Sequence, residues 1–169
     1  MNLTGATSAE LAEIVSLMNR SYRGEEGWAV EDGYIEGERI SLSDLKVEFV
    51  AKPRMQLLTW REQGQFLGCV SLEPLGDGVW YLGALTVEPA HQNAGAGRLL
   101  LEKAEDIARQ WGASRMRLTV IWLREALIRW YERRGYVATG ETLAFPYGDH
   151  RWGKPLRDDL YFRVFEKAL

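Results

Sequence analysis

The chain lacks long apolar runs, a leader-like N-terminus and a second cysteine. No stretch approaches the roughly 18 apolar residues that a membrane helix needs, and the N-terminus has neither the basic nor the apolar region of a signal peptide. We therefore expect a soluble, cytoplasmic protein without a membrane partner. Cys69 is the only cysteine, which excludes an internal disulfide and a cysteine-built zinc site. We expect no metal.

The chain also lacks a positive net charge. The net charge of −3 disfavours a nucleic-acid partner, because such binding depends on neutralising phosphates. The 169 residues suit a single domain spanning 1–169, with enough chain to bury a core without disulfides. Seven tryptophans supply large side chains for that core. No internal repeat, low-complexity tract or linker interrupts the chain.

The first half of the chain predicts two helices and then an antiparallel meander. One helix begins near Thr7 and continues with apolar residues at helical spacing. A second short helix covers Ser41–Val50. Three strand-like runs follow, separated by turn residues: Met55–Arg61, Phe66–Leu72 and Val79–Val87.

The second half alternates helices and strands. Gly95–Trp111 is a predicted helix, Arg115–Ile121 a strand and Leu123–Arg134 a second amphipathic helix. Two closing strands cover Tyr136–Phe145 and Leu160–Glu166. The last meander strand, the first of these helices and the strand after it form a right-handed parallel βαβ unit. Because an antiparallel meander leads into this unit, we predict the α+β class, with one mixed sheet between helices in a three-layer α/β/α arrangement.

A glycine-rich loop joins the last meander strand to the next helix. Its residues are, in order, Gln92, Asn93, Ala94, Gly95, Ala96 and Gly97. Glycine lets backbone approach a ligand, and the amides at a helix N-terminus attract phosphate. Taken alone, the same loop is equally compatible with a tight turn. A P-loop is excluded because Arg98 stands where lysine is required, and a dinucleotide fingerprint is excluded because Leu100 replaces its third glycine.

Two motifs in this order resemble the GNAT N-acetyltransferase superfamily. Val87–Pro89 and Gln92–Gly97 match the family's strand end and its Gln/Arg-x-x-Gly-x-Gly/Ala loop. Tyr131 stands four residues before Gly135, as in the family's next motif. The order of strands and helices resembles the GNAT arrangement over nearly the whole chain. The resemblance implies an enzyme that moves an acetyl or short acyl group directly to a primary amine.

The resemblance also implies acetyl-CoA, or another short acyl-CoA, as co-substrate. The backbone at the end of the last meander strand would hold the pantetheine, and the glycine loop would hold the pyrophosphate. The residues concerned are Leu85, Thr86, Val87, Gln92, Asn93, Ala94, Gly95, Ala96, Gly97 and Arg98. Arg98 either adds charge for the phosphates or is a solvated residue at the helix start.

Tyr131 is the general acid that this resemblance implies, because a phenol with a pKa of about 10 can protonate a departing thiolate. The alternative is a core aromatic beside Trp130. The chain departs from the family pattern at two positions. Arg124 replaces the usual asparagine, and is either a CoA contact facing the cleft of Tyr131 or a solvated residue. Gly83 replaces the usual general-base glutamate, so another group or a water must take the amine proton.

Candidates for that base are few. His150 titrates near neutrality and is one candidate, although most loop histidines have no such role. His91 is interpreted as a structural histidine, and Glu73 and Glu88 as surface carboxylates. Cys69 lies in an apolar run without a nearby histidine, which argues against a covalent acyl carrier.

The acceptor is expected to be an amine on a small molecule or peptide. The Gly24–Glu38 segment has six acids and no basic residue. Within it, Trp28, Glu31 and Tyr34 would bind a cationic amine, or the whole segment is a solvated acidic loop. A non-catalytic acyl-CoA sensor is the alternative function, although Tyr131 argues against it. Many GNAT proteins dimerise, so a homodimer is a further expectation from the resemblance.

Overall fold

A seven-stranded mixed sheet organises the part of the chain that the structure, a computed structural model, describes: residues 1–23 and 33–169. The strands in chain order are β1 (Leu3–Gly5), β2 (Ile35–Glu36), β3 (Gln56–Glu62), β4 (Gln65–Gly76), β5 (Val79–Val87), β6 (Arg115–Ile121), β7 (Val137–Ala144), β8 (Lys154–Pro155) and β9 (Tyr161–Ala168). Their order in the large sheet is β1-β3-β4-β5-β6-β9-β7, while β2 and β8 form a separate two-stranded ribbon. Within the large sheet, β5 and β6 run parallel and the other neighbours pair antiparallel.

Within residues 1–23 and 33–169, four α-helices accompany the sheet: α1 (Leu11–Arg23), α2 (Leu42–Ala51), α3 (Ala96–Gln110) and α4 (Glu125–Glu132). Local hydrogen bonds mark the start of α2 and of the 3₁₀ turn Ser8–Glu10 that leads into α1. The Thr7 amide donates to the Glu10 carboxylate at 2.8 Å, and the Ser41 hydroxyl accepts from the Asp44 amide at 3.0 Å. Both contacts satisfy groups that a helix start leaves without intrahelical partners. No helix within residues 1–23 and 33–169 is long and apolar enough to cross a membrane.

Apolar side chains fill both faces of the sheet. On one face α1 and α2 pack against β3 and β4, burying among others Ile14, Leu45 and Cys69. On the other face α3 and α4 pack against the central strands, burying among others Leu100 and Ile128. The helices therefore lie on both sides of one mixed sheet, which confirms the predicted α+β arrangement.

Glycine at position 78 brings β6 against the beginning of β5. Gly78 has a φ of +72°, and a Cβ there would lie 2.5 Å from the Ser114 hydroxyl oxygen. Its carbonyl accepts hydrogen bonds from the amides of Ser114 and Arg115 at 2.8 and 3.1 Å. A side chain at position 78 would separate these groups, so the close approach requires glycine.

A buried carboxylate connects α3 to the end of the chain. Glu105 accepts a hydrogen bond from the Tyr136 hydroxyl at 3.0 Å and another from the Lys167 ammonium at 2.7 Å. Pairing of this kind offsets the cost of removing a charge from water. The three residues hold α3 against the β7 and β9 side of the sheet.

The predicted elements agree with this fold, with differences at their ends. β5 and β6 have the predicted bounds. α3 is one residue shorter at each end than the predicted helix Gly95–Trp111. α4 is shorter than the predicted Leu123–Arg134, because Arg124 has a non-helical ψ of 58° and therefore precedes the helix. β2 and β8, with two residues each, are too short to show a sequence period. The single domain over 1–169 stays a prediction.

Candidate active site

The cleft begins where β5 and β6 stop pairing. Parallel pairing joins Val79 to Arg115, Trp80 to Met116 and Tyr81 to Arg117, and the described residues form no further pair between these strands. Both strands nevertheless continue beyond these pairs, as far as Val87 and Ile121. The later part of β5 therefore borders a gap in the sheet instead of a neighbouring strand.

A β-bulge bends β5 at the edge of this gap. Ser71 pairs with Gly83 and Cys69 with Thr86, so two residues of β5 oppose the single residue between them on β4. One of the two is Ala84, whose φ of +50° lies in the left-handed region that non-glycine residues rarely adopt. Bulges change the direction in which a strand presents its backbone, and they are frequent beside binding sites.

The glycine loop lies at one end of the cleft. Gly95 begins α3 with a φ of +78° and supplies no side-chain cap, so the first-turn amides of the helix have no capping acceptor there. The Gln92 side chain donates to the Val87 carbonyl at 3.1 Å, which ties the loop to the end of β5. Asn93 and Ala94 complete a 3₁₀ turn that begins at Pro89. The strand end and the helix start are thus adjacent.

The cleft has two adjoining parts of about 500 and 690 Å³. The first lies toward the glycine loop, and the second lies between the separated strands. Both are lined by Tyr22, Leu85, Arg124, Leu127 and Tyr131. A molecule that extends along the cleft from the N-terminus of α3 to the strand gap would therefore lie beside Tyr131.

Tyr131 is buried, with 6% of its surface exposed. Its ring packs edge-on against Trp130 and Tyr136, with ring centres 4.9 and 5.4 Å apart. Burial raises the pKa of the phenol, and the positive charge of Arg124 opposes this rise. The phenol is therefore protonated at neutral pH, and none of the described residues forms a hydrogen bond with its hydroxyl.

Arg124 immediately precedes α4 and faces the same cleft. Its guanidinium lies 5.3 Å from the centre of the Tyr22 ring, a cation–π contact that links α4 to the end of α1. The structure thus brings Arg124 and Tyr131 together, as their spacing of seven residues predicted.

Comparison with known proteins identifies the family. The model of the acetyltransferase (GNAT) family matches residues 11–136, about three quarters of the sequence. The chain belongs to the acetyltransferase (GNAT) family. The match includes every element from α1 through the glycine loop to Tyr131.

Individual relatives agree with this family membership. An uncharacterized N-acetyltransferase of Mycobacterium bovis is 31% identical over 103 residues, which are 61% of this chain and 65% of that protein. An amino-acid acetyltransferase of Pseudomonas putida is 33% identical over 79 residues, 46% of this chain and 17% of that much longer protein. The solved structure of yncA from Salmonella typhimurium with its cofactor acetyl-CoA has a TM-score of 0.66 at 23% identity, covering 100% of this chain and 94% of that one. The last comparison shows a shared fold.

In this member of the GNAT family, six of the residues predicted to bind the donor line the part of the cleft toward the glycine loop. The cleft is lined by Leu85, Thr86, Val87, Gln92, Gly97 and Arg124. Ala96 is buried under the loop as the first residue of α3. Arg98 instead lies on the outer surface of α3, 55% exposed and 3.3 Å from Glu102. The structure therefore places Arg98 among solvated residues of the first helical turn.

The predicted acceptor residues are dispersed. Trp28 and Glu31 lie outside the described residues. Tyr34 packs against an apolar cluster that includes Phe145 and Leu160. The His150 side chain is 87% exposed and lies 3.8 Å from Asp44, in a separate surface pocket. The structure does not bring His150 into the cleft, because the short turn that carries it directs the imidazole to solvent.

Other candidate groups for proton or acyl chemistry are engaged elsewhere. Glu73 lies 3.1 Å from Lys52, and Glu88 lies 2.7 Å from Arg20. Burial raises the pKa of the Cys69 thiol to about 12, so no reactive thiolate forms near neutrality. Among residues 1–23 and 33–169, no aspartate, glutamate or histidine lines either part of the cleft.

At Gly83, where the family pattern has a glutamate, neighbouring side chains fill the space that a side chain would need. A Cβ on Gly83 would lie 2.8 Å from the Ser71 hydroxyl and 3.2 Å from the Tyr81 ring. The Tyr81 hydroxyl forms a 2.8 Å hydrogen bond with Thr119 at the closed end of the strand gap, next to the last β5–β6 pair. Tyr81 therefore takes the space beside Gly83, and a larger residue there would require its ring to move.

Sequence reasoning assigned no role to several residues that line the strand gap, among them Arg39, Tyr81 and Thr119. None lies in a recognisable motif, and packing of distant segments brings them together. Arg134 was missed beside the glycine loop. Its guanidinium lies 3.7 Å from the Trp130 ring centre, and burial together with the positive charges of Arg133 and Arg98 lowers its pKa.

Proposed function

We propose that this chain transfers an acetyl or other short acyl group from acyl-CoA to a primary amine on a small molecule or peptide. One observation carries the proposal: a single cleft connects the N-terminus of α3, the unpaired end of β5 and the buried Tyr131. Family membership and the amine-acetylating activities in the relatives' names support it.

The residues along the cleft suit an acyl-CoA. Gly95 presents helix-start amides without a side-chain cap, which is an arrangement that binds phosphate. Arg134 adds positive charge nearby, and its buried Nε has no hydrogen-bond partner among the described residues. Leu85, Leu127 and Trp130 offer apolar surface for a pantetheine chain. The Salmonella structure with its cofactor acetyl-CoA supports the same donor.

When bound, the donor supplies a thioester carbonyl that an amine can attack, with departure of the CoA sulfur. We assign to the backbone near Leu85 and Val87 the task of holding the pantetheine and polarising that carbonyl. Their strand edge borders the gap, and the bulge at Ala84 turns the backbone toward it. Fixed amide donors of this kind stabilise developing negative charge without reorganisation.

Tyr131 would donate its proton to the departing sulfur. The raised pKa keeps the phenol protonated across the physiological range, so the proton is available when the carbon–sulfur bond breaks. The nearby positive charge of Arg124 would stabilise the transient Tyr131 phenolate. Tyr131 then regains a proton from solvent, which receives the proton that the amine loses, so that one proton enters and one leaves in each cycle.

The amine proton needs a route of its own, since no described acidic side chain lines the two parts of the cleft. The carboxylates of an adjoining pocket, Glu73 among them, lie beyond these parts. We propose that the amine enters in its neutral form and that water carries its proton to solvent. The Tyr81–Thr119 pair can orient such a water at the closed end of the strand gap.

A direct assay tests this function. The purified protein is mixed with acetyl-CoA and a panel of primary amines, and release of free CoA is measured with a thiol reagent. We expect release that depends on the amine and falls in Tyr131→Phe. Tight acetyl-CoA binding without release across the panel would instead support the acyl-CoA sensor. A cytoplasmic location and a homodimer stay predictions from the sequence.

A further inference from the structure

Basic side chains line the part of the cleft between the separated strands, where the acceptor would lie: Arg23, Arg39 and Arg124. An adjoining pocket, to which Arg39 also belongs, is lined by four carboxylates: Asp44, Glu48, Glu73 and Asp149. No acidic residue among positions 1–23 and 33–169 lines the part between the separated strands. A cation-binding site would be expected to show the opposite charge.

Arg39 is held in place from two directions. Its guanidinium lies 5.4 Å from the Tyr22 ring centre and 5.0 Å from the Trp152 ring centre. Its backbone amide donates to the Asn19 side-chain carbonyl at 2.6 Å, and the same oxygen accepts from the Ile40 amide at 3.2 Å. Asn19 also donates to the Ile40 carbonyl at 2.9 Å. Arg39 is therefore fixed before any ligand arrives.

The Arg39 charge has no counterion within the described part of the chain. No carboxylate of residues 1–23 or 33–169 lies within 4 Å of its guanidinium, whereas many other arginines pair with acids, such as Arg157 with Asp159 at 2.7 Å. A guanidinium between two aromatic faces uses those faces for stacking, which leaves its N–H edge for a ligand. That edge matches a planar carboxylate with two parallel hydrogen bonds.

We propose that the acceptor amine carries a carboxylate, and that Arg39 binds this carboxylate while the amine lies beside the thioester. The proposal rests on the acyl transfer proposed above and names the class of its acceptor: amino acids and related amino carboxylates. Arg39 would contribute to acceptor binding and leave the donor site unaffected. The acidic segment Gly24–Glu38, for which the sequence allowed either a cation site or a solvated loop, would then not bind the acceptor through its charge.

Matched substrates test the proposal. Amino acids are compared with their carboxamides, which keep the side chain and the amine but lose the negative charge. Because the amide lowers the pKa of the neighbouring amine, kcat/KM is expressed per concentration of neutral amine. We expect a preference for the acids of about 10- to 100-fold, the range of a charge-assisted hydrogen-bonded pair. In Arg39→Met this preference should disappear, mainly through a higher KM for the acids.

Controls separate binding from folding. Arg157→Met removes an exposed arginine outside the cleft and should keep the full preference. Arg39→Met should keep its affinity for acetyl-CoA, because Arg39 does not line the part of the cleft toward the glycine loop. Equal or better use of carboxamides and diamines by the native protein would overturn the carboxylate site and leave the acyl transfer intact.

A binding measurement tests the carboxylate site even if the protein shows no acyl transfer. N-acetylated amino acids, which resemble the product, are titrated calorimetrically into the native protein and Arg39→Met, each with CoA bound. Weaker binding by Arg39→Met supports the carboxylate site even if the acyl transfer is refuted. Equal binding to both proteins overturns the carboxylate site.

Discussion

The guanidinium of Arg124 lies 5.3 Å from the centre of the Tyr22 ring, and the guanidinium of Arg39 lies 5.4 Å from the same ring. Tyr22 therefore connects two cations from segments far apart in the chain. One belongs to the start of α4, next to Tyr131, and the other to the segment before α2. Through this ring the donor and acceptor halves of the cleft are in physical contact.

Tyr131→Phe should lower kcat by roughly 100-fold or more while leaving the Kd for acetyl-CoA nearly unchanged. The phenyl ring preserves the packing but removes the proton that general acid catalysis uses. Stopped assays of CoA release and calorimetric titration with acetyl-CoA measure the two effects. Tyr161→Phe, at an exposed tyrosine on β9, is the control and should behave as the native protein. Unchanged turnover in Tyr131→Phe would remove Tyr131 from the reaction.

Arg124→Ala should raise the KM for acetyl-CoA by about tenfold, because it removes both a positive charge in the cleft and the contact that positions Tyr22. Initial rates at varied acetyl-CoA concentration measure this effect. The matched control is Arg129→Ala on the outer face of α4, where the arginine is 60% exposed and pairs with Glu125. If both variants kept native kinetics, Arg124 would be the solvated residue that the sequence also allowed.

The value of kcat/KM should rise with pH as the acceptor amine loses its proton. It should not fall again below about pH 10, the usual pKa of a tyrosine. The sign follows from burial: a raised pKa keeps the Tyr131 phenol in its acidic, proton-donating form as the pH increases. Two acceptors whose amine pKa values differ should give profiles displaced by that difference. An acid limb at the same pH for both acceptors would reveal a general base on the protein.

Gly95→Ala should destabilise the fold by about 1–2 kcal/mol, the cost of placing a side chain at a left-handed φ. Gly97→Ala is the comparison, since its Cβ would meet the nearest Trp130 atom at an ordinary 3.6 Å. Thermal unfolding of the two variants should show a lower Tm only for Gly95→Ala. Equal Tm values would show that the left-handed conformation at Gly95 is not required.

The sequence predicts the sheet and the donor half of the cleft better than the acceptor half. β5 and β6 had the predicted bounds because turn residues flank their apolar runs. The glycine loop and Tyr131 lie in short motifs whose residues are close in sequence, so local pattern is sufficient to find them.

The acceptor half depends on contacts that no local pattern encodes. Arg39 meets Trp152 across more than a hundred residues of chain, and Tyr81 meets Thr119 only because β5 and β6 are neighbours. His150 has suitable chemistry in the sequence but extends to solvent from its turn. Residue type alone therefore selected a histidine outside the cleft and missed an arginine inside it.

The short pairing of β5 with β6 also has a mechanical consequence. Three residue pairs join the strands from β1 to β5 with the group of β6, β9 and β7. A molecule held between the strands beyond Tyr81 would contact both groups and resist their separation. Ligand binding in the cleft would thus stabilise the sheet against separation of its two strand groups. The bound ligand would fill the gap through which it entered.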